Sequence, residues 1–408
     1  MNDAPRFSIS FWVFLASRFC AATALTLLRT TVYYHVYALT NSKAALGAIG
    51  LVQFGPVVAL TLVGGAFADA YDRRRIMRLA QIPYLAGALL LFAATERGAI
   101  SVPLLYAAVF VNAVTFAFES PARQAFLPSL VSIADFPRAV TYSSTAMALA
   151  FASGPALSGM LIAGGGVEAA YAGFGALVLG NLLGLAFVRP VREVGERTPP
   201  SLRAVREGLA YVRRSPIVLG CMALDMFAVI FAGATALLPV YATEILAVGP
   251  RGYGLLSSSL EIGALAMVLV LLIRPPIQRA GPVLLAAVAV YGVATLGFGL
   301  SRVFPLSVAL YMVAGAADQV SVVLRSILVQ LTTPDALRGR VSAVNMIFIN
   351  ASNQLGAVES GFLAAATSAT FAVVFGGAAC LVVVAFTAWA LPELRRYRIG
   401  ANVLASNV

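Results

Sequence analysis

The chain has 408 residues, 60% of them hydrophobic and only 11% charged, with a mean hydropathy of +0.90. That much apolar surface exceeds what a soluble fold of this length can bury, which excludes a water-soluble enzyme and requires a polytopic membrane protein. The formal charge of +11 does not mark a nucleic-acid binder, because the basic residues flank apolar segments in the pattern that orients membrane proteins.

Twelve stretches of about 20 residues, nearly free of charge and long enough to cross a bilayer as helix, recur along the chain. They centre near Thr23, Ala59, Gly87, Val109, Phe151, Val178, Ile230, Ala264, Val290, Ala314, Phe348 and Leu381. The N-terminus resembles a secretory signal, but Arg18 interrupts its apolar stretch and no clean cleavage site follows, so span one is expected to stay. With the N-terminus inside, 21 Lys and Arg fall in cytoplasmic segments and only Lys43, Arg97, Arg251 and Arg302 outside. This asymmetry predicts both termini in the cytoplasm. The run TVYYHVYAL, Thr31 to Leu39, is then expected at the outer interface, with His35, the single histidine, in an aromatic belt. Cys20, Cys221 and Cys380 all fall inside spans, without disulfide or metal-ligand spacing.

Residues 64 to 77, GGAFADAYDRRRIM, pack five charges between Asp69 and Arg75 where spans two and three meet. The longest polar segment, Arg189 to Pro216, divides the chain into bundles 1–188 and 216–408 joined by a linker 189–215. Behind Pro199 and Pro200, Leu202, Val205, Leu209 and Val212 share one face of a predicted amphipathic helix, suited to the inner membrane surface.

The halves repeat. LGAIG around Gly47 matches YGLLS around Gly254 at an offset of 207, which also carries Arg18 onto Asp225. An offset of 206 pairs Pro128 with Pro334, Asn112 with Asp318 and Glu119 with Arg325, and GPALSG at Gly154 matches GAVESG at Gly356 at 202. Ordered matches with a slowly drifting offset predict an all-α membrane protein of twelve transmembrane helices in two pseudo-symmetric six-helix bundles, with a midplane site between them.

The duplicated plan, the charged turn and the GPALSG segment together resemble the major facilitator superfamily over nearly the whole chain. The family's loop between spans two and three carries Gly-x-x-x-Asp-Arg-x-Gly-Arg-Arg; Gly65, Asp69, Arg73 and Arg74 match it, and Ala70 and Asp72 depart from it. ESPARQAFLPSLV (Glu119 to Val131) and TPDALRGRVSAVN (Thr333 to Asn345) resemble the branch that includes enterobactin and macrolide exporters. The resemblance implies a cytoplasmic latch: Asp69 near Arg340 at the start of span eleven, and Arg73 or Arg74 paired with Glu119. It also implies that Gly154, Pro155 and Gly159 form an antiporter-like small-residue face in span five. Purely topogenic arginines and ordinary small-residue packing are the competing readings.

Seven ionisable residues lie within spans: Arg18, Arg29, Asp225, Glu261, Asp318, Arg325 and Glu359. Each charge at the centre of a bilayer costs about 2.5–3.5 kcal/mol, on the order of 20 kcal/mol for seven facing lipid. That exceeds the net stability of about 5–15 kcal/mol of a folded domain, so they are expected inside. Arg18 and Arg29 share a helix face with Ala22 and Leu25; Asp318 and Arg325 are seven apart; Asn345, Ser352 and Glu359 follow a heptad. Three arginines against four acids leave at least one carboxylate to take up and release a proton, with Glu261 and Glu359 the preferred carriers, while locking helices together is the alternative role.

No phosphate loop or catalytic constellation is present, so neither ATP-driven pumping nor enzymatic activity is expected. The expected function is proton-antiport export of an amphipathic small molecule, a siderophore, macrolide or similar compound, across a bacterial inner membrane. Arg18 and Arg29 suit an anionic or catechol-like group on it. Protons and membrane lipid are the other expected partners, with no metal, no cofactor, no nucleic acid and a monomeric state. A nutrient or organic-anion importer, a lipid flippase and a non-transporting sensor remain as alternatives.

Overall fold

A computed structural model describes residues 7–189, 202–275 and 277–399. The described residues form helices and turns with no strand, as they must where lipid offers backbone groups no partner. In chain order these are α1 (Ile9–Thr40), α2 (Lys43–Ala70), α3 (Arg73–Leu79), α4 (Gln81–Glu96), α5 (Val102–Phe126), α6 (Phe136–Phe187) and α7 (Leu202–Arg214). Then come α8 (Pro216–Ala232), the short α9 (Leu238–Val240), α10 (Gly249–Ile273), α11 (Ala280–Leu300), α12 (Phe304–Thr332), α13 (Arg338–Ala366), α14 (Ala369–Ala390) and the short α15 (Pro392–Arg396).

Ten of the described helical segments are long and apolar enough to cross a membrane. The expected count of twelve is reached only when the 52-residue α6 is divided and the polar α13 is included. The division is built into the chain: Gly166 has φ of 76° and ψ of −178°, a conformation that breaks the helix and that a residue with a Cβ adopts only under strain.

The chain packs as two compact units, the first made of Met1–Thr40, Gly55–Pro200 and Gly249–Ser258, the second of Asn41–Phe54, Ser201–Val248 and Ser259–Val408. Each unit therefore takes a helix segment from the other half of the sequence. The passage of α2 between units falls at Gly55, beside Pro56, whose ring removes a ladder hydrogen bond.

In the first unit α1 lies along α6, admitted by small residues: a Cβ on Gly184 would sit 2.9 Å from Ser17 Cβ, and one on Gly154 would sit 2.8 Å from the Thr23 carbonyl. One end of this unit is closed by Phe11, Phe14, Met77, Phe126, Leu130 and Leu185, all buried. The α10 segment docks through Tyr253, whose hydroxyl donates to the Thr30 carbonyl at 2.9 Å, and through Gly254, against Gly159. In the second unit Tyr241, Phe298 and Tyr311 stack with centroids 4.6 and 5.0 Å apart, and α10 meets α12 at Gly263 and Gly315, which touch Met312 and Leu260.

The aromatic run of α1 is not an interfacial belt. Tyr33, His35 and Tyr37 are buried, and His35 Nδ1 is hydrogen-bonded to Tyr171 Oη at 2.9 Å. Apolar rings with one polar tip can fill a helix–helix seam as readily as an interface once a partner reaches the tip. Pro199 and Pro200 lie outside the described residues, as do the side chains of Leu202 and Val205. The amphipathic helix α7 does form, and it packs on α13 and α8. Val212 is buried, a Cβ on Gly208 would sit 2.7 Å from the Arg340 carbonyl, and the Tyr211 hydroxyl donates to the Thr332 carbonyl.

Candidate functional site

The charged turn after α2 works mainly as a set of helix caps. Asp72 is the N-cap of α3, its Oδ1 accepting from the Arg75 backbone N–H at 2.9 Å. Arg73 forms an ion pair with Asp69 at 3.7 Å and donates to the carbonyls of Ala68 and Ala125, both at 3.2 Å. Arg74 and Arg78 converge on the last carbonyls of α6, with Nη2 to the Ala186 oxygen at 2.7 and 3.0 Å. Cations at helix C-termini meet unpaired carbonyls and the negative end of the dipole. The expected pairing of Arg73 or Arg74 with Glu119 does not occur. Gly65 is partly exposed, and its neighbour Gly64 makes the close approach, to the Ala117 carbonyl.

Glu119 pairs instead with Arg123, one turn on along α5. The pair anchors a buried polar chain: Gln81 Nε2 donates to Glu119 Oε1 at 3.1 Å, Asn181 Nδ2 to Gln81 Oε1 at 2.7 Å, and Ser17 Oγ to Asn181 Oδ1 at 2.6 Å. With the Asn181 amide turned over, its oxygen faces Arg123 Nη2 at 3.3 Å, so the network joins α1, α4, α5 and α6 in either orientation. Gln81 and Asn181 are each 1% exposed. No charge marks them in the sequence, where the one available signal is an isolated amide inside an apolar span.

Of the seven ionisable residues in spans, Arg325 and Asp225 meet as a buried ion pair between α12 and α8. Arg325 is thus held from α8 and not by Asp318, seven residues before it on its own helix. Asp318 and Glu261 are partly buried on α12 and α10, two helices that touch at Gly263 and Gly315. Glu359 is partly buried on α13, with Oε2 lacking a hydrogen-bond partner. Along the expected stripe of α13, Ser352 is buried and turned onto its own helix, donating to the Phe348 carbonyl at 2.6 Å. On α1, Arg18 is partly buried and Arg29 is exposed. Arg340 pairs with Glu207 of α7 at 2.7 Å.

The small-residue face around GPALSG is doubly used. Gly154 packs on α1, Thr31 Oγ1 and Ser158 Oγ share a hydrogen bond at 2.8 Å, and Gly159 meets Gly254, where a Cβ would lie 2.6 Å from the Gly254 Cα.

The sequence profile of a family described as transmembrane secretion effector, of major facilitator type, matches residues 10–403. The chain belongs to this family. This major facilitator protein is 26% identical over 392 residues to proteins named enterobactin exporter EntS, from Escherichia coli O1:K1 and, at the same identity, Shigella boydii serotype 18. The alignments cover 95% of this chain and 92% of each relative. Its fold is similar to that of a D-xylose-proton symporter, with TM-score 0.71 at 15% identity over 94% of this chain and 98% of the other. A peptide transporter POT in complex with sulfate gives 0.70 at 14% identity, covering 97% and 98%. The chain is thus an integral membrane transporter, not an enzyme, with a major facilitator fold.

Proposed function

We propose that this transporter is a secondary active exporter of an amphipathic small molecule, driven by proton antiport. The relatives named as enterobactin exporters align with 95% of this chain, which favours outward movement and a siderophore or similar compound. The packed Gly154, Pro155 and Gly159 face agrees with an antiporter.

The proton step is supported by the placement of Glu261 and Asp318, both partly buried, on two helices that touch at Gly263 and Gly315, in a unit whose buried Arg325 is already held by Asp225. Two neighbouring carboxylates repel when both are ionised, and one proton taken up between them removes the repulsion. Glu359, with one unpartnered oxygen, is a second point of exchange. No cofactor enters this scheme: the proton gradient supplies the work. The protein acts as a monomer in a bacterial inner membrane with both termini cytoplasmic, an orientation supported by the excess of Lys and Arg assigned to that side.

Energised everted vesicles should accumulate enterobactin or a macrolide, and an uncoupler should abolish the accumulation. Accumulation untouched by the uncoupler refutes proton coupling, and flux in the opposite direction refutes export.

A further inference from the structure

The chain that follows α14 folds back and is fastened to the head of α11. The Ile399 N–H donates to the Gln278 carbonyl at 2.8 Å, and the Gly281 N–H to the Tyr397 carbonyl at 3.2 Å. These two bonds bracket Arg279 on one segment and Arg398 on the other. Gly281 permits the approach, since a Cβ there would collide with the Leu394 carbonyl. Leu394 and Tyr397 are buried, and Leu391 and Leu394 press on Gly220 of α8. The segment is therefore a fixed part of the second unit.

What it presents to its surroundings is cationic. Arg279, Arg395, Arg396 and Arg398 are all exposed, and Glu393 is the one carboxylate in the stretches 277–283 and 392–399. Among the described residues none of these four arginines forms an ion pair. Like charges set side by side on hydrogen-bonded backbone repel, and Arg279 stands at the N-terminus of α11, the positive end of that helix. The protein itself leaves this excess of positive charge uncompensated. Depth in the membrane identifies what compensates it. Trp389, 76% exposed at the end of the membrane-spanning α14, meets Phe386 with ring centroids 6.0 Å apart. An exposed tryptophan at the end of such a helix marks the headgroup level, and the arginines follow within ten residues.

We propose that Arg279 and Arg398, with Arg395 and Arg396 beside them, form a binding site for the headgroup of an anionic phospholipid. Its phosphate supplies both the missing charge and acceptors for the guanidinium donors. Because α15 packs on α8, α11 and α14, the bound lipid fastens the ends of three helices of the second unit to the membrane surface through one short segment. The site does not depend on the direction of transport or on the coupling ion.

The chain has two tryptophans, so Trp12→Phe leaves Trp389 as the only indole, close to the site. The test reconstitutes this full-length protein in mixed vesicles of phosphatidylcholine and phosphatidylglycerol, with bromine on the acyl chains of one lipid or the other. Quenching of Trp389 then reads the relative affinity of the two lipids. Phosphatidylglycerol should be preferred by about fivefold, and the preference should fall to about one when Arg279→Gln and Arg398→Gln are combined. Arg279→Lys with Arg398→Lys should keep it, which separates loss of charge from damage to the fold. With Trp389→Phe and Trp12 as reporter, neither pair of substitutions should change the quenching. Equal affinity for the two lipids at Trp389, or an undiminished preference in the glutamine pair, overturns the proposal. Loss of the preference in the lysine pair, or parallel changes at Trp12, overturns it too, because the effect is then not the local charge. Loss on adding inorganic phosphate at constant ionic strength assigns the arginines to a soluble anion and overturns it as well.

Discussion

Gly159 and Gly254 touch backbone to backbone: a Cβ on the first would lie 2.6 Å from the Cα of the second, and the reverse distance is 2.8 Å. The second unit contains the same crossing, since a Cβ on Gly47 would lie 3.2 Å from the Gly361 Cα. The sequence offset of 207 takes Gly47 to Gly254, and that of 202 takes Gly159 to Gly361. The internal repeat therefore reproduces a helix crossing along with the helices themselves. An alanine at Gly159 gains about 1 kcal/mol in helix propensity but overpacks a backbone contact at about 1–3 kcal/mol. Gly159→Ala and Gly254→Ala should each lower the thermal unfolding midpoint in detergent, and the double variant should fall short of or exceed their sum, because both act on one contact. Additive effects would show that the two residues are not coupled.

Asp225 and Arg325 are both nearly sealed from solvent. Removing one member of such a pair strands the other and costs about 3–5 kcal/mol, whereas removing both costs far less. Asp225→Asn should be strongly destabilising and Asp225→Asn with Arg325→Gln should recover most of the loss. A double variant as unstable as the single one would mean that the pair is not the stabilising unit.

Neutralising the carboxylates at the α10–α12 contact should separate substrate movement from proton movement. Asp318→Asn and Glu261→Gln are expected to abolish uncoupler-sensitive accumulation while leaving downhill exchange of substrate intact. Wild-type proton flux in both variants would remove them from the pathway and leave Glu359 to be tested in the same way.

The linker helix α7 is held by two interactions of unequal weight. Arg340 and Glu207 are both substantially exposed, and exposed pairs contribute about 0–1 kcal/mol. Gly208 permits backbone contact with α13, which a larger residue forbids. Glu207→Ala should therefore change little, whereas Gly208→Val should release α7 to limited proteolysis. Equal resistance of both variants would show that Gly208 does not seat the helix.

Much of this architecture was legible because lipid leaves few choices: apolar runs must become helices, and offsets between halves survive in Gly47, Gly159, Gly254 and Gly361. The burial of ionisable groups was also legible from cost alone for Arg325 and Asp225. Their pairing was not. Spacing along α12 aligned Arg325 with Asp318, but the partner came from α8, because the rotation of one helix against another is set by packing that no single-helix periodicity reports. The same limit applied to Glu119, which found its cation within its own helix, and to Arg74, which was absorbed by the carbonyls of Leu185 and Ala186. Gln81 and Asn181 left no charge to notice, and His35 was displaced from the expected belt by a hydroxyl on Tyr171 that lies 136 residues away.

The backbone N–H of Arg189 reaches Ser10 Oγ at 3.3 Å, and Ser17 is bonded to Asn181 deeper in the same seam. The entry and exit of the first bundle are thus stitched together independently of the chain beyond Arg189. A gene severed in the stretch 190–201 should yield two co-expressed fragments that reassemble, each carrying the helix segment its neighbour needs.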